Sequence, residues 1–163
     1  MVEAKRDAPE IHLWRILVAR GVSTVSEIQQ VYSDWLQTKH WDYFFTTTFR
    51  SPRKEPYYAL NHCWHELKNH HVARAFIGVE PHKSGDLHLH GLLAGRGGGW
   101  QPEIKLPWDI WEGLFERFGR SKVEACNSQE AVTAYCAKYV LKAQSSASDH
   151  YGVYGTKFAW RGT

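Results

Sequence analysis

The sequence predicts an α+β fold: a central antiparallel sheet of about five strands flanked by helices. Three observations predict it. ARAFIGVEPHKSGDLHLHGLLAG, residues 73 to 95, reads as two apolar strands around the turn KSGD, a hairpin and therefore an antiparallel pair. DYFFTTTFRS, residues 42 to 51, is aromatic and β-branched throughout and closes at Pro52, as a central strand does. Around these lie segments whose apolar residues recur at helical spacing, so helices pack on the sheet.

The elements follow in order. PEIHLWRILVARG, residues 9 to 21, places Ile11, Trp14, Ile16, Leu17 and Val18 for a short helix that stops at Gly21. STVSEIQQVYSDWLQT opens on the cap formers Ser23 and Thr24 and spaces Val25, Ile28, Val31, Tyr32 and Trp35 along a second helix. Together they form an N-terminal helical extension over about 1–40. After the strand at 42 to 51 and the turn SPRKEP, residues 57 to 70 set Ala59, Cys63, Trp64 and Leu67 on one helical face.

The hairpin comes next, then RGGGWQP, residues 96 to 102. That run lacks the G-x-x-x-x-G-K-[ST] spacing of a phosphate loop, so no ATPase is encoded and the run is a flexible connection. PWDIWEGLFERFG begins a helix at Pro107 and ends it at Gly119, with Ile110, Trp111, Leu114, Phe115 and Phe118 facing inward. SKVEAC is a strand. NSQE is a capping box, with Asn127 at the cap and Glu130 three residues on, and it opens a helix reaching about Ala143. The tail, SSASDHYGVYGTKFAWRGT, begins as a loop and ends in an edge strand. There is no internal repeat.

A chain of 163 residues fits a single domain, 1–163, able to bury roughly two thirds of its unfolded surface. No apolar run approaches a bilayer span, so no membrane partner is expected. MVEAKRDAPEIHLW carries charges of both signs and is not a secretory signal. Cys63, Cys126 and Cys136 are odd in number and contain no C-x-x-C pair, which argues against disulfide and cysteine-zinc frameworks and for a reducing, cytoplasmic home. A net charge of +3 says little about nucleic acid. Aromatic rings, 14% of the chain, say more: most are core, but exposed rings stack on unpaired bases.

Ten histidines make a chance H-x-H expected about 0.6 times, so the triplet His88-Leu89-His90 must be judged with its neighbours. A hairpin folding about Ser84 puts residues whose numbers sum to 168 opposite each other. Glu80 then faces His88, and His90 follows on the same face. Two imidazoles and a carboxylate can hold a divalent cation and leave positions open for water or a phosphate oxygen. Nitrogen and oxygen donors without sulfur suit Mn2+ or Mg2+, though zinc could occupy the site in vitro. His82 shares the parity at the mouth of the turn, as a fourth ligand, a group that supports a ligand from behind, or a solvated loop residue.

In AVTAYCAKYVLKA, Tyr135, Lys138, Tyr139 and Lys142 form one helical stripe, while Val132, Cys136 and Val140 line another face that can be buried. Alone this is an ordinary surface pattern. Beside a cation it acquires a chemical reason, because a phenol is a poor nucleophile at neutral pH and a phosphodiester needs its charge neutralised.

Three segments, in order, together resemble the HUH endonucleases that initiate rolling-circle replication of plasmids, phages and small single-stranded DNA viruses. YFFTTTF is similar to the first family motif, GVEPHKSGDLHLHGLL to the second, and AYCAKYVLK to the third, the Y-x-x-K helix. They span residues 43 to 142, about three fifths of the chain. The resemblance implies a five-stranded antiparallel sheet of ferredoxin-like topology with the hairpin at its centre and the tyrosine helix beside it. It implies Glu80, His88 and His90 as metal ligands, Tyr135 as nucleophile and Lys138 as the partner that positions phosphate or tyrosine. Tyr139 completes Y-x-x-x-Y, similar to two-tyrosine initiators, although a single-tyrosine enzyme with Tyr139 merely packing fits as well.

The implied activity is nicking and joining of single-stranded or hairpin DNA at a replication origin through a 5′-phosphotyrosine, with unwinding left to a separate helicase or to supercoiling. A single-tyrosine transposase of the same chemistry, and a nucleic-acid-binding module with a structural metal, are the alternatives. Arg50, Arg53, Lys54 and Lys142 are candidate phosphate contacts, with surface solvation an equal reading for each.

Overall fold

A computed structural model describes residues 21, 25–51, 55–84, 86–95, 104–136 and 151–155. The predicted helix over 9 to 21 lies outside these residues, as do the caps Ser23 and Thr24. The described chain runs α1 (Val25–Gln37), β1 (Tyr43–Thr48), α2 (Pro56–Lys68), β2 (Arg74–Pro81), β3 (Leu87–Ala94), α3 (Pro107–Arg117) and β4 (Ser121–Ala125). A further helix, α4, is described over 129–136, and β5 (Tyr151–Gly155) closes the order.

The five strands form one sheet in the order β4-β1-β3-β2-β5, every neighbouring pair antiparallel. Two crossovers build it. β1 passes through α2 to β2, leaving a gap that β3 fills, and β3 passes through α3 to β4, leaving a gap that β1 fills. This is the split βαβ arrangement of the ferredoxin-like topology expected above. β3 therefore takes the middle position, and the predicted tail strand docks on the outer edge of β2.

Because side chains alternate along a strand, the sheet has two differently packed faces. On one, Phe45, Ile77, Val79, Leu89 and Leu93 pack against Ala59, Cys63 and Leu67 of α2 and Ile110 and Leu114 of α3. Those α2 residues are the face predicted from spacing. On the other, Phe76 and Leu92 meet Trp35 and Leu36 of α1 and Cys136 of α4, with Trp41 beside them. Phe76, Leu89, Leu92 and Leu93 are fully buried, each worth roughly 1.5–3 kcal/mol, so this β2–β3 pair anchors both cores.

Two local readings are corrected. Ile110 and Leu114 of α3 and Phe118 at its C-cap are buried as expected, but Phe115 is 42% exposed and Trp111 only half-buried. Trp111 lies between Trp108 and Phe115, with ring centroids 4.7 and 5.1 Å away, and its indole N–H donates to the Ser121 carbonyl of β4 at 2.9 Å. The apolar stripe of this helix is wider than its contact with the sheet. The second correction concerns the start of α4. Ser128, not Asn127, is the cap: its hydroxyl accepts from the Ala131 amide at 3.1 Å and its carbonyl from the Val132 amide at 3.2 Å.

Gly119 ends α3 as predicted, at φ 140°, and a Cβ there would lie 2.8 Å from both the Thr48 carbonyl oxygen and the Arg50 amide nitrogen. Only glycine lets this turn pass so close to the end of β1. Among the described residues no helix is long and apolar enough to cross a membrane.

Candidate metal and tyrosine site

The hairpin places its residues as the sum of 168 predicts: Glu80 pairs with His88, and Gly78 with His90. The alternation that buries Leu87 and Leu89 against α2 and α3 turns His88 and His90 to the opposite face, the one that α4 covers further along. There one carboxylate oxygen, Glu80 Oε2, lies 3.2 Å from His88 Nε2 and 3.3 Å from His90 Nε2. The ligand atoms of the three residues all fall within 4.8 Å of one another, and both imidazoles are largely buried while the carboxylate is more open.

This donor set fits a divalent cation. Ligand atoms held about 2.0–2.2 Å from a metal sit roughly 2.8–3.6 Å from each other across octahedral and tetrahedral geometries, a range that includes the 3.2 and 3.3 Å between Glu80 and the two imidazoles. His82 is outside that group. Its ring stacks on His88, centroids 4.1 Å apart and 38° from parallel, and the residue is exposed, so it lies against a ligand candidate and not within the cluster.

Tyr135 comes to the same face from α4. Its ring meets the His90 ring edge to face at 6.1 Å and the Phe44 ring at 5.5 Å. Phe44 in turn stacks on His90 at 6.4 Å. Tyr135 is 38% exposed, so it stands beside His90 with part of its surface open to solvent. The opposite side of α4 explains this orientation: Thr133 and Cys136 are fully buried and Val132 packs on the second core, leaving Tyr135 at the rim.

Two contacts fix the site from behind, and the sequence did not single out the residues that make them. Thr46 stands opposite His90 in the β1–β3 register, its Oγ1 3.0 Å from His90 Nδ1. Gln129, in the first turn of α4, bonds both backbone groups of Trp41: its Oε1 accepts from the Trp41 amide at 3.0 Å, and its Nε2 donates to the Trp41 carbonyl at 2.9 Å. Both are long-range pairings, and no local pattern in the sequence announces a partner 44 or 88 positions away.

Of the remaining predicted site residues, Lys138, Tyr139, Lys142, Arg53 and Lys54 lie outside the described residues. Arg50 is described and is not brought to this cluster. It is exposed, donates to the Phe115 carbonyl at 3.1 Å and lies 5.7 Å over the Phe115 ring, tied to the helix on the other layer. Elsewhere, burial pushes the Cys63 thiol well up from its ordinary range, and burial with the nearby Asp42 charge pushes Cys126 up to about 11. Comparison with protein-family models, curated proteins and solved structures gives no match.

Proposed function

We propose that the protein is a metal-assisted endonuclease and strand transferase for single-stranded or hairpin DNA, nicking a replication origin through Tyr135. The observation that carries this reading is the approach of the Tyr135 ring to within 6.1 Å of His90, on the same sheet face as the Glu80–His88–His90 cluster. A core histidine pair would need neither a carboxylate between its Nε2 atoms nor a half-exposed phenol beside it. The resemblance in three ordered motifs supports the same chemistry.

In this reading His88, His90 and Glu80 hold Mn2+ or Mg2+. When bound, the cation supplies charge neutralisation for a phosphodiester oxygen. Tyr135 Oη gives up its proton to solvent or a basic neighbour and attacks phosphorus. The bond from phosphorus to the 3′ oxygen breaks, that oxygen takes up a proton, and a 5′-phosphotyrosine and a free 3′-hydroxyl result. The reverse attack by a 3′-hydroxyl reseals the strand and releases the tyrosine, so bond energy is conserved. Lys138 positions the phosphate or the phenol, and Tyr139 is the candidate second nucleophile. Arg50, Arg53, Lys54 and Lys142 contact phosphates away from the scissile bond. The work belongs in a reducing cytoplasm beside a separate helicase.

The test is covalent capture. Labelled pools of single-stranded and hairpin DNA are incubated with protein and Mn2+, then denatured. A labelled protein band absent from Tyr135→Phe supports the reading. DNA bound without any adduct, across the whole pool, overturns it in favour of a binding module with a structural metal.

A further inference from the structure

We infer that Thr46 is the positioning residue for His90, fixing which ring nitrogen faces the cation. The inference rests on the metal reading above and adds to it a residue on a different strand from the ligands. Thr46 and His90 are direct cross-strand partners, with Thr46 Oγ1 3.0 Å from Nδ1. The other nitrogen, Nε2, points at Glu80 Oε2, 3.3 Å away. The ring thus has one nitrogen for the cluster and one for the hydroxyl.

That division decides the tautomer. A cation takes the lone pair of Nε2, so Nδ1 must carry the hydrogen and donate it. Thr46 Oγ1 is the acceptor at that position. A β-branched side chain on a strand has few χ1 choices, so the acceptor is held still where a longer polar side chain would wander. The pattern of β1 follows from this. Phe45 and Thr47 turn to the far face, where Phe45 joins the core and the Thr47 hydroxyl meets Ser121 Oγ at 2.6 Å, while Phe44 and Thr46 turn toward His90. Phe44 holds the ring by its face and Thr46 by its edge.

The experiment is a Mn2+ titration of the full chain, following the electron paramagnetic resonance signal of free Mn2+, so that affinity is read without any DNA. Thr46→Val keeps the shape and removes the acceptor, and it is expected to weaken Mn2+ binding about 10- to 100-fold, the effect of losing a partner behind a metal-bound histidine. Thr46→Ser restores the hydroxyl and returns affinity to within about threefold of the wild type. Thr47→Val, the same exchange one residue along on the far face, separates loss of this contact from general weakening of the strand and binds as the wild type does. Equal affinity in Thr46→Val and wild type overturns the role of Thr46 while leaving the metal reading intact. If Thr46→Val does not fold, Thr46→Ala against Thr46→Ser decides, and equal affinities overturn the inference. A wild-type protein that takes up no Mn2+ overturns both.

Discussion

Gln129 clasps Trp41 by both of its backbone polar groups, at 3.0 and 2.9 Å, and this pairing docks the first turn of the helix that carries Tyr135 onto the entrance to β1. Trp41 is itself fully buried, with its indole N–H donating to the Leu36 carbonyl at 2.8 Å, so the anchor point is rigid.

Gln129→Ala should therefore separate the two halves of the site. Two bonds to partly buried backbone groups are lost, at a cost of about 2 kcal/mol, which for a chain of this size lowers the melting temperature by roughly 4–8 °C. Mn2+ affinity should stay at the wild-type value while the yield of DNA adduct falls. Calorimetry and the capture assay read the two effects, and a parallel loss of Mn2+ binding would contradict the separation.

Metal should stabilise the fold through the hairpin. Free Mn2+ at 100 times its dissociation constant adds about 2.7 kcal/mol, or roughly 5–11 °C in melting temperature. Glu80→Ala and His88→Ala should each abolish most of that gain. An equal gain in either variant would move the binding site elsewhere.

Gly91 tests the packing beneath His90. A Cβ there would overlap the Phe76 carbonyl oxygen and stand 2.6 Å from Phe45 Cε1. The first of these atoms is backbone on β2 and cannot swing aside. Gly91→Ala should cost about 3 kcal/mol, the upper part of the usual overpacking range, and lower the melting temperature by roughly 6–12 °C. Thermal denaturation without metal checks this, and a change under about 1 kcal/mol would mean that β2 and β3 can part without cost.

Cys126 supplies a pH dependence with a definite sign. Burial first, and the charge of Asp42 second, raise its thiol from an ordinary 9.0 to about 11, so the fold favours the protonated form. The stability this contributes is complete below pH 9 and is lost as pH rises through about 11. At pH 8 alkylation of Cys126 in the native protein should run about 100-fold slower than in urea, because only the thiolate reacts. Mass spectrometry of the labelled peptide measures both rates, and equal rates would refute the shift.

Local periodicity made the fold legible. The hairpin register follows from its turn, which is why spacing alone brings Glu80, His88 and His90 together. The faces of α2 and β3 follow from spacing in the same way. What escaped was either a contact between distant segments or a choice between adjacent residues. Thr46 and Gln129 act through partners on other elements, and spacing within β1 or α4 carries no trace of them. Asn127 and Ser128 are both good cap formers, and spacing alone does not choose between neighbours; in the fold it is the Ser128 hydroxyl that accepts from the Ala131 amide. Phe115 misled for another reason: an aromatic residue at helical spacing reads as core, yet here it stacks with its neighbours along the outside of α3.

Glu80, His88 and His90 all belong to one hairpin, closed by a short turn in which the Ser84 hydroxyl and the Asp86 carboxylate meet at 3.0 Å. Closing so small a loop costs little entropy, whereas bringing Tyr135 home requires the crossover through α3 and β4 to be finished first. As the chain is synthesised, the hairpin that carries all three candidate donors is complete before the helix that carries Tyr135 has been made.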